Sequence, residues 1–296
     1  MINLSQLNLL SNTNLTSLPP EIGNLTNLTE LYLSGNNLTS LPPEIGNLTN
    51  LTFLTVSGNP GLTTLPLEIS SLSNLTSLTL YYNNLSSLPP EIGNLTNLTE
   101  LSISETNLVS LPPEIGNLTN LTLLRIFESH NISTLPPEIG RLANLTDLLI
   151  VDQSLTSLPP EIGNLTNLTT LYLWQCANLT SLPPEIGNLT NLMLFTMGVT
   201  GVSSLPPEIG NLTNLTNLTL EGNNLSSLPS EIGNLTNLTA LRLTGTSLTS
   251  LPPEIGNLIN LTDFMFFDSN LSTLPPELCA ALPAGINLIP MSLCTP

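Results

Sequence analysis

The sequence predicts an α/β repeat solenoid, and three observations carry that expectation. One motif, L-P-x-E, opens at Leu18, Leu41, Leu65, Leu88, Leu111, Leu135, Leu158, Leu182, Leu205, Leu228, Leu251 and Leu274, and every step between openings is 23 or 24 residues. Within each period, leucines such as Leu28, Leu31 and Leu33 take the alternating spacing of a short strand. A proline- and glutamate-rich stretch then reads as a short turn. A fixed period of this size overrides the one or two ordinary domains that 296 residues would otherwise suggest.

The elements follow in order along the chain. The opening MINLSQLNLL has no basic leader region and no long apolar stretch, so neither a signal peptide nor a membrane helix is expected there. Leu4 already holds a strand position. The first coil is therefore expected to lack an N-terminal cap, which leaves a sheet edge open or continues into more chain.

Each coil has the form L-T-x-L-x-L-x-x-N-x-L-x-x-L-P-P-E-I-G-N-L-T-N, as in Leu28 to Asn50. The ninth position reads Asn12, Asn36, Asn59, Asn83, Thr106, Ser129, Gln153, Cys176, Thr200, Asn223, Thr246 and Ser269. All are polar or Cys, as a bend requires when a side chain must satisfy backbone groups. Pro42, Pro43 and Glu44 then start a helical or 3₁₀ turn, because proline suits its first position and glutamate its positive end. Gly46 and Asn47 stop it. No coil can bury its own leucines, so neighbours must stack and share one core.

This wording resembles the leucine-rich repeat family over nearly the whole chain. It looks most like the 23-residue class of plant and animal Ras-pathway scaffolds and of many bacterial proteins. The resemblance implies a right-handed horseshoe with a concave parallel β-sheet and short 3₁₀ or helical turns on the convex side. Members mostly bind partners on the concave side. The expected division is a solenoid of about twelve repeats over residues 1–274 and a C-terminal cap over 275–296. Cys279 and Cys294 bracket that end, resembling the cap of secreted repeat proteins. That resemblance implies a disulfide, and two apolar core thiols are the other reading.

Seven of the twelve turns repeat LPPEIGNLTNL without change, whereas the third, fifth, seventh and eighth positions of the strand, read together, give a different set in every coil. With the leucines inward, these positions point outward onto one surface and its rim. All four Tyr and the one Trp occupy variable positions, as do three of six Phe and two of three Arg. Such residues dominate interface hot spots because they bring large contact area with a polar handle. The candidate ligand-binding residues are accordingly Tyr32, Phe53, Tyr81, Tyr82, Glu105, Arg125, Phe127, Glu128, Asp147, Asp152, Tyr172, Trp174, Gln175, Arg242 and Phe267. The densest stretch runs from Tyr81 to Gln175. Drift on an unconstrained surface is the competing explanation, yet drift would also scramble the exposed Pro, Glu, Asn and Thr of the opposite face.

Charge narrows the partner. The formal net charge is −18 with three Arg and no Lys, which repels nucleic acid and anionic membrane surfaces. Nine acids fall on the variable surface: Glu30, Glu100, Glu105, Glu128, Asp147, Asp152, Glu221, Asp263 and Asp268. They make a basic protein partner the electrostatic expectation. No oligomeric state follows from the sequence.

Other chemistries are weaker. His130 has no Cys or His neighbour at metal spacing and reads as a loop residue. The L-P-x-E glutamates form a column, but each is explained by its own turn, and no metal or cofactor site is expected. Paired carboxylates on an open strip lack the enclosure that separates their pKa values, and no nucleophile or phosphate-loop motif occurs, so no enzyme is expected. Cys176 reads as a packed bend residue. A second function reading is an ice- or mineral-binding array built on Thr29, Thr52, Thr76, Thr99, Thr122, Thr146 and Thr169, opposed by the bulky, changing neighbours. Sequons at Asn24, Asn37 and Asn178 read first as solenoid framework rather than glycan sites. The low charged fraction, 8%, leans toward an extracellular or cell-surface setting, with the cytoplasm as the alternative.

Overall fold

The computed structural model describes residues 4–129, 131–267, 270–281 and 294. The chain forms two compact units, residues 1–147 and 148–296. In the first, β1 (Gln6–Asn8), β2 (Glu30–Ser34), β3 (Phe53–Asn59), β4 (Ser77–Asn83), β5 (Glu100–Ser104) and β6 (Leu123–Phe127) pair in parallel, each with the next in the chain. β7 (Asp147–Val151) opens at the boundary. In the second, β8 (Thr170–Trp174), β9 (Leu194–Gly198), β10 (Asn217–Glu221), β11 (Ala240–Arg242) and β12 (Asp263–Met265) pair in the same way.

Register makes the core. Leu31, Leu54, Leu78, Leu101 and Leu124 lie opposite one another along the first sheet, and each is 0% exposed. Burying such a side chain is worth about 2 kcal/mol. The stack, not the single coil, supplies it.

The turns are 3₁₀ rather than α-helical. Pro43–Asn47 follows Pro42, whose φ of −71° and ψ of 148° set the entry, and Ile45 is buried beneath it. Leu48 N–H donates to Ile45 O at 3.1 Å and ends the turn after five residues. The glycine is needed for close approach: a Cβ on Gly46 would sit 2.6 Å from Glu68 O of the next coil. Ser70 fills this place in the third turn, so the turn can yield to one small side chain.

Two ladders tie coil to coil. Asn50, Asn74, Asn97 and Asn120 donate their side-chain amides to main-chain oxygens of the preceding coil at 2.7–2.8 Å. Asn191, Asn214, Asn237 and Asn260 do the same in the second unit, each at 2.8 Å. Beside them, Thr52, Thr76, Thr99 and Thr122 donate hydroxyls to the preceding coil at 2.9–3.0 Å. These residues face solvent yet serve the fold. Their constancy therefore has a folding cause, and the contrast with the variable positions is weaker grounds for selection than the sequence alone suggested. The amides of Asn37 and Asn178, both in sequons, are held by the preceding coil in the same way.

The bend works as expected with one exception. Asn59 donates to Leu33 O and Ser57 O, both at 2.9 Å, and accepts Leu38 N–H at 3.3 Å, joining successive coils from a fully buried position. In the coil beginning at Leu145 the inward residue is Asp152 rather than Gln153. Asp152 is 1% exposed and accepts Ser154 N–H at 2.8 Å, while Gln153 faces solvent. A short carboxylate can close a turn onto the backbone two residues on, and glutamine is one methylene too long for that geometry.

At the end, α1 (Pro276–Ala281) carries Leu278, which is buried, and Cys279, which is half-buried and disulfide-bonded to Cys294 with Cα atoms 5.7 Å apart.

Candidate functional site

The outward residues of the first unit form three rows across its strands. One runs Glu30, Phe53, Ser77, Glu100, Leu123; the next Tyr32, Thr55, Thr79, Ser102, Arg125; the third Ser34, Ser57, Tyr81, Ser104, Phe127. Tyr32 donates its hydroxyl to Glu30 Oε2 at 2.9 Å, and its ring centroid lies 5.7 Å from that of Phe53. The phenol pKa is raised, first by that bond, then by burial and by the Glu30 charge. Asp147 Oδ2 accepts the Thr146 hydroxyl at 2.7 Å.

In ten coils the eighth position has a property that the sequence reading missed. Its backbone is left-handed in Ser11, Gly35, Gly58, Tyr82, Glu105, Glu128, Gln175, Val199, Gly222 and Gly245, with φ between 48° and 68°. Glycine meets that requirement at no steric cost, and four coils use it. Six carry a side chain there instead, and for bulky Tyr82 and β-branched Val199 this is a strained choice. The four glycines were the available signal.

In the first unit these left-handed residues make a polar and aromatic rim. Tyr82 is 59% exposed, and its pKa is raised chiefly by a hydrogen bond to Glu105, then by the charges of Glu105 and, more weakly, Glu128. Beside them an open cleft of about 660 Å³ is lined by Gly58, Pro60, Tyr82, Asn83, Asn84, Glu105, Thr106 and Asn107.

The second unit presents Tyr172 and Trp174 on β8 with ring centroids 5.9 Å apart and planes 18° apart. Trp174 lies opposite Gly198, and Gly198 opposite Glu221. A Cβ on Gly198 would overlap the Trp174 ring. The Tyr172 pKa is raised by burial first and then by the Glu221 charge. Gln175 and Val199 stand exposed at the strand ends, and Leu194 is 42% exposed on the face itself.

Several candidates stand differently from expectation. Asp152 is in the core at the bend and leaves the ligand-binding set. Arg242 is ion-paired with Asp263 at 2.8 Å, so this cation and this acid of the face already neutralise each other. Phe267 is 51% exposed, whereas Phe264 and Phe266 are buried. Cys176 is fully buried and burial pushes its thiol up to about 11, which suits packing rather than reactivity. His130, Asp268 and Ser269 lie outside the described residues. Among the described residues there is no cluster of three or more His, Cys, Asp or Glu placed to hold a metal, and no helix is long and apolar enough to cross a membrane. Thr29, Thr52, Thr76, Thr99 and Thr122 of the hydroxyl array donate their protons to main-chain carbonyls, so these five are not free donors for an ordered water lattice.

Stacked parallel strands, leucine columns and a bend residue repeated from coil to coil along the described residues define a leucine-rich-repeat protein. The family model for a leucine-rich repeat region matches residues 1–83, 67–155, 137–220 and 194–282, and the chain belongs to that family. Among solved structures it is similar to the leucine-rich repeat protein LIC12759 of Leptospira interrogans, with 38% identity and a TM-score of 0.70 over 93% of this chain and 75% of that one. The leucine-rich-repeat ectodomain of the Arabidopsis receptor kinase HAESA, solved with a peptide hormone ligand, is 29% identical with a TM-score of 0.64, over 90% of this chain and 47% of that one. An internalin of Listeria monocytogenes shares the fold at 24% identity and a TM-score of 0.68, over 90% of this chain and 75% of that one. No curated protein matches the sequence.

Proposed function

We propose that the chain is a non-catalytic recognition module whose variable sheet-face residues bind a protein or peptide, with basic character in that partner. Leucine-rich repeat domains are generally protein-binding modules, and the HAESA ectodomain binds its peptide hormone. The observation that carries the reading is the left-handed eighth position. Gly35, Gly58, Gly222 and Gly245 meet the backbone requirement without strain, yet Tyr82, Glu105, Glu128, Gln175 and Val199 hold side chains there at a cost of about 1 kcal/mol each. Retained strain that displays side chains to solvent is a mark of function. Glu30, Glu100, Glu105, Glu128 and Asp147 outnumber Arg125 on the first unit's face, which favours a basic ligand. The Cys279–Cys294 disulfide supports an extracellular or cell-surface setting. We further propose that α1, tied by the Cys279–Cys294 bridge, caps the last coil of the solenoid.

The test pans a random displayed 12-residue peptide library against the whole protein, then retests enriched peptides on variants. Tyr81→Ala with Phe127→Ala alters the first face, Tyr172→Ala with Trp174→Ala the second, and Glu44→Gln with Glu91→Gln the turns. Loss of at least roughly 30-fold on a face variant, with the turn variant unchanged, is the expected result for hot-spot aromatics. Loss on the turn variant alone, or on none, overturns the reading.

A further inference from the structure

We infer that Tyr172, Trp174 and Glu221 in the second unit form a receptor for an arginine side chain on an extended peptide, and that Gly198 is the residue that positions the indole. This deepens the proposed function and rests on it.

The sequence places one residue without a backbone reason. Gly198 is the seventh-position residue of its coil, where other coils carry Ser, Tyr, Phe, Val, Trp, Glu, Thr or Leu, and it is not among the residues with positive φ. What it provides is space: any Cβ there would run into the Trp174 ring. The one Trp of the chain and this glycine are opposite each other on neighbouring strands, so the indole lies down across the sheet instead of standing off it. A buried backbone carries a half-buried flat ring.

Tyr172 extends that surface, its plane within 18° of the indole. Two nearly parallel rings form a platform that suits a flat group. Beyond Gly198, at the next strand, stands Glu221, half-buried and with no ion pair among the described residues. Arg242, the cation of the neighbouring strand, is turned to Asp263 instead. An open carboxylate beside an aromatic platform asks for a cation that is also planar. Guanidinium meets both demands: it stacks on the ring faces and donates a fork of hydrogen bonds to a carboxylate, whereas ammonium offers only a point charge. The net charge of −18 draws such a group in. Gln175 and Val199, raised on left-handed backbone at the same edge, flank the path that the peptide's main chain would follow.

The experiment uses the single-Trp emission of the full chain as a site-specific reporter. The probe is the blocked peptide acetyl-Gly-Thr-Arg-Thr-Gly-amide, compared with the same peptide carrying citrulline or lysine, and with a neutral oligosaccharide, cellohexaose. The arginine peptide is expected to change Trp174 emission saturably in the millimolar range or below, and citrulline to bind at least roughly tenfold more weakly, as loss of a charge-assisted bond implies. Glu221→Gln should reduce arginine-peptide affinity by a similar factor and leave the citrulline peptide unchanged.

Gly198→Ala should shift the emission of the unliganded protein and weaken the arginine peptide. In a Trp174→Ala background, followed by calorimetry, the same change should no longer alter affinity or melting temperature, which a merely structural glycine would not show. No saturable response, equal binding of citrulline and arginine, insensitivity to Glu221→Gln, or saturation by cellohexaose instead would each overturn the inference. If it falls while library peptides still lose binding on the face variants, the recognition reading stands. If those peptides respond only to the turn variant, that reading falls with it.

Discussion

Within one coil, the turn edge and the sheet face obey different constraints. At the turn edge Pro43, Ile45, Gly46 and Asn50 are each occupied: one sets φ, one fills the core, one yields room to Glu68, one bonds Thr26. On the sheet face of the same coil, Tyr32 bonds Glu30 and lies beside Phe53, and Ser34 accepts from Ser57, side-chain contacts that the stacking of coils does not require. The difference teaches that invariance here marks inter-coil contact. Function has to be sought where the fold leaves a choice and the residue taken is not the cheapest one.

The contrast can be broken hardest in the core. Leu171→Ala or Leu173→Ala, both at fully buried positions, should each cost about 2–5 kcal/mol through the cavity left behind, read from urea unfolding. A loss below about 1 kcal/mol would mean the coils collapse around vacancies, and the stacked-core account would fail.

At the bend, Asn59→Ala should cost about 2 kcal/mol, because it strands buried groups at Leu33 O and Leu38 N. The same replacement at Asn12, which is exposed, should cost a few tenths, and equal losses at both would refute the bend role.

Cys176 sharpens the comparison through pH. Its folded pKa of about 11 lies above its ordinary value of 9.0, so the unfolded thiol ionises first as pH rises. Stability from this residue is complete below about pH 9 and is lost as pH rises through 11, by on the order of 2 kcal/mol. The stability gap between wild type and Cys176→Ala should narrow across that window in paired melts. A constant gap would contradict a buried neutral thiol.

The smallest effect has the opposite sign. Glu128→Gly should stabilise by roughly 0.5 kcal/mol, since relief of the left-handed strain exceeds the extra entropy that glycine carries into the unfolded state. Gly35→Ala should destabilise by a comparable or larger amount. Both changes can be followed by thermal melts, and destabilisation by Glu128→Gly would remove the argument that strain is kept for function.

Much of this was legible in advance. The strand leucines, the proline entry and the polar bend follow from local spacing, and the aromatic positions follow from strand alternation. Asp152 was misread because spacing names the ninth position, whereas the choice between Asp152 and Gln153 depends on which side chain can close the turn onto Ser154. Gly198 was missed because its reason lies 24 positions earlier in the chain, at Trp174. The left-handed eighth position was within reach through its four glycines, but their meaning was hidden by the coils that use other residues.

By itself, then, the sequence determined the period, the inward set and the outward set, because a repeating chain that must hide leucines has one way to do it. Only the tertiary structure decided which outward residues are free and which are spent. A hydrogen bond between coils, an ion pair such as Arg242 with Asp263, or an indole laid over a glycine joins residues more than 20 positions apart. Local spacing does not encode such contacts; they arise when neighbouring coils come within bonding distance.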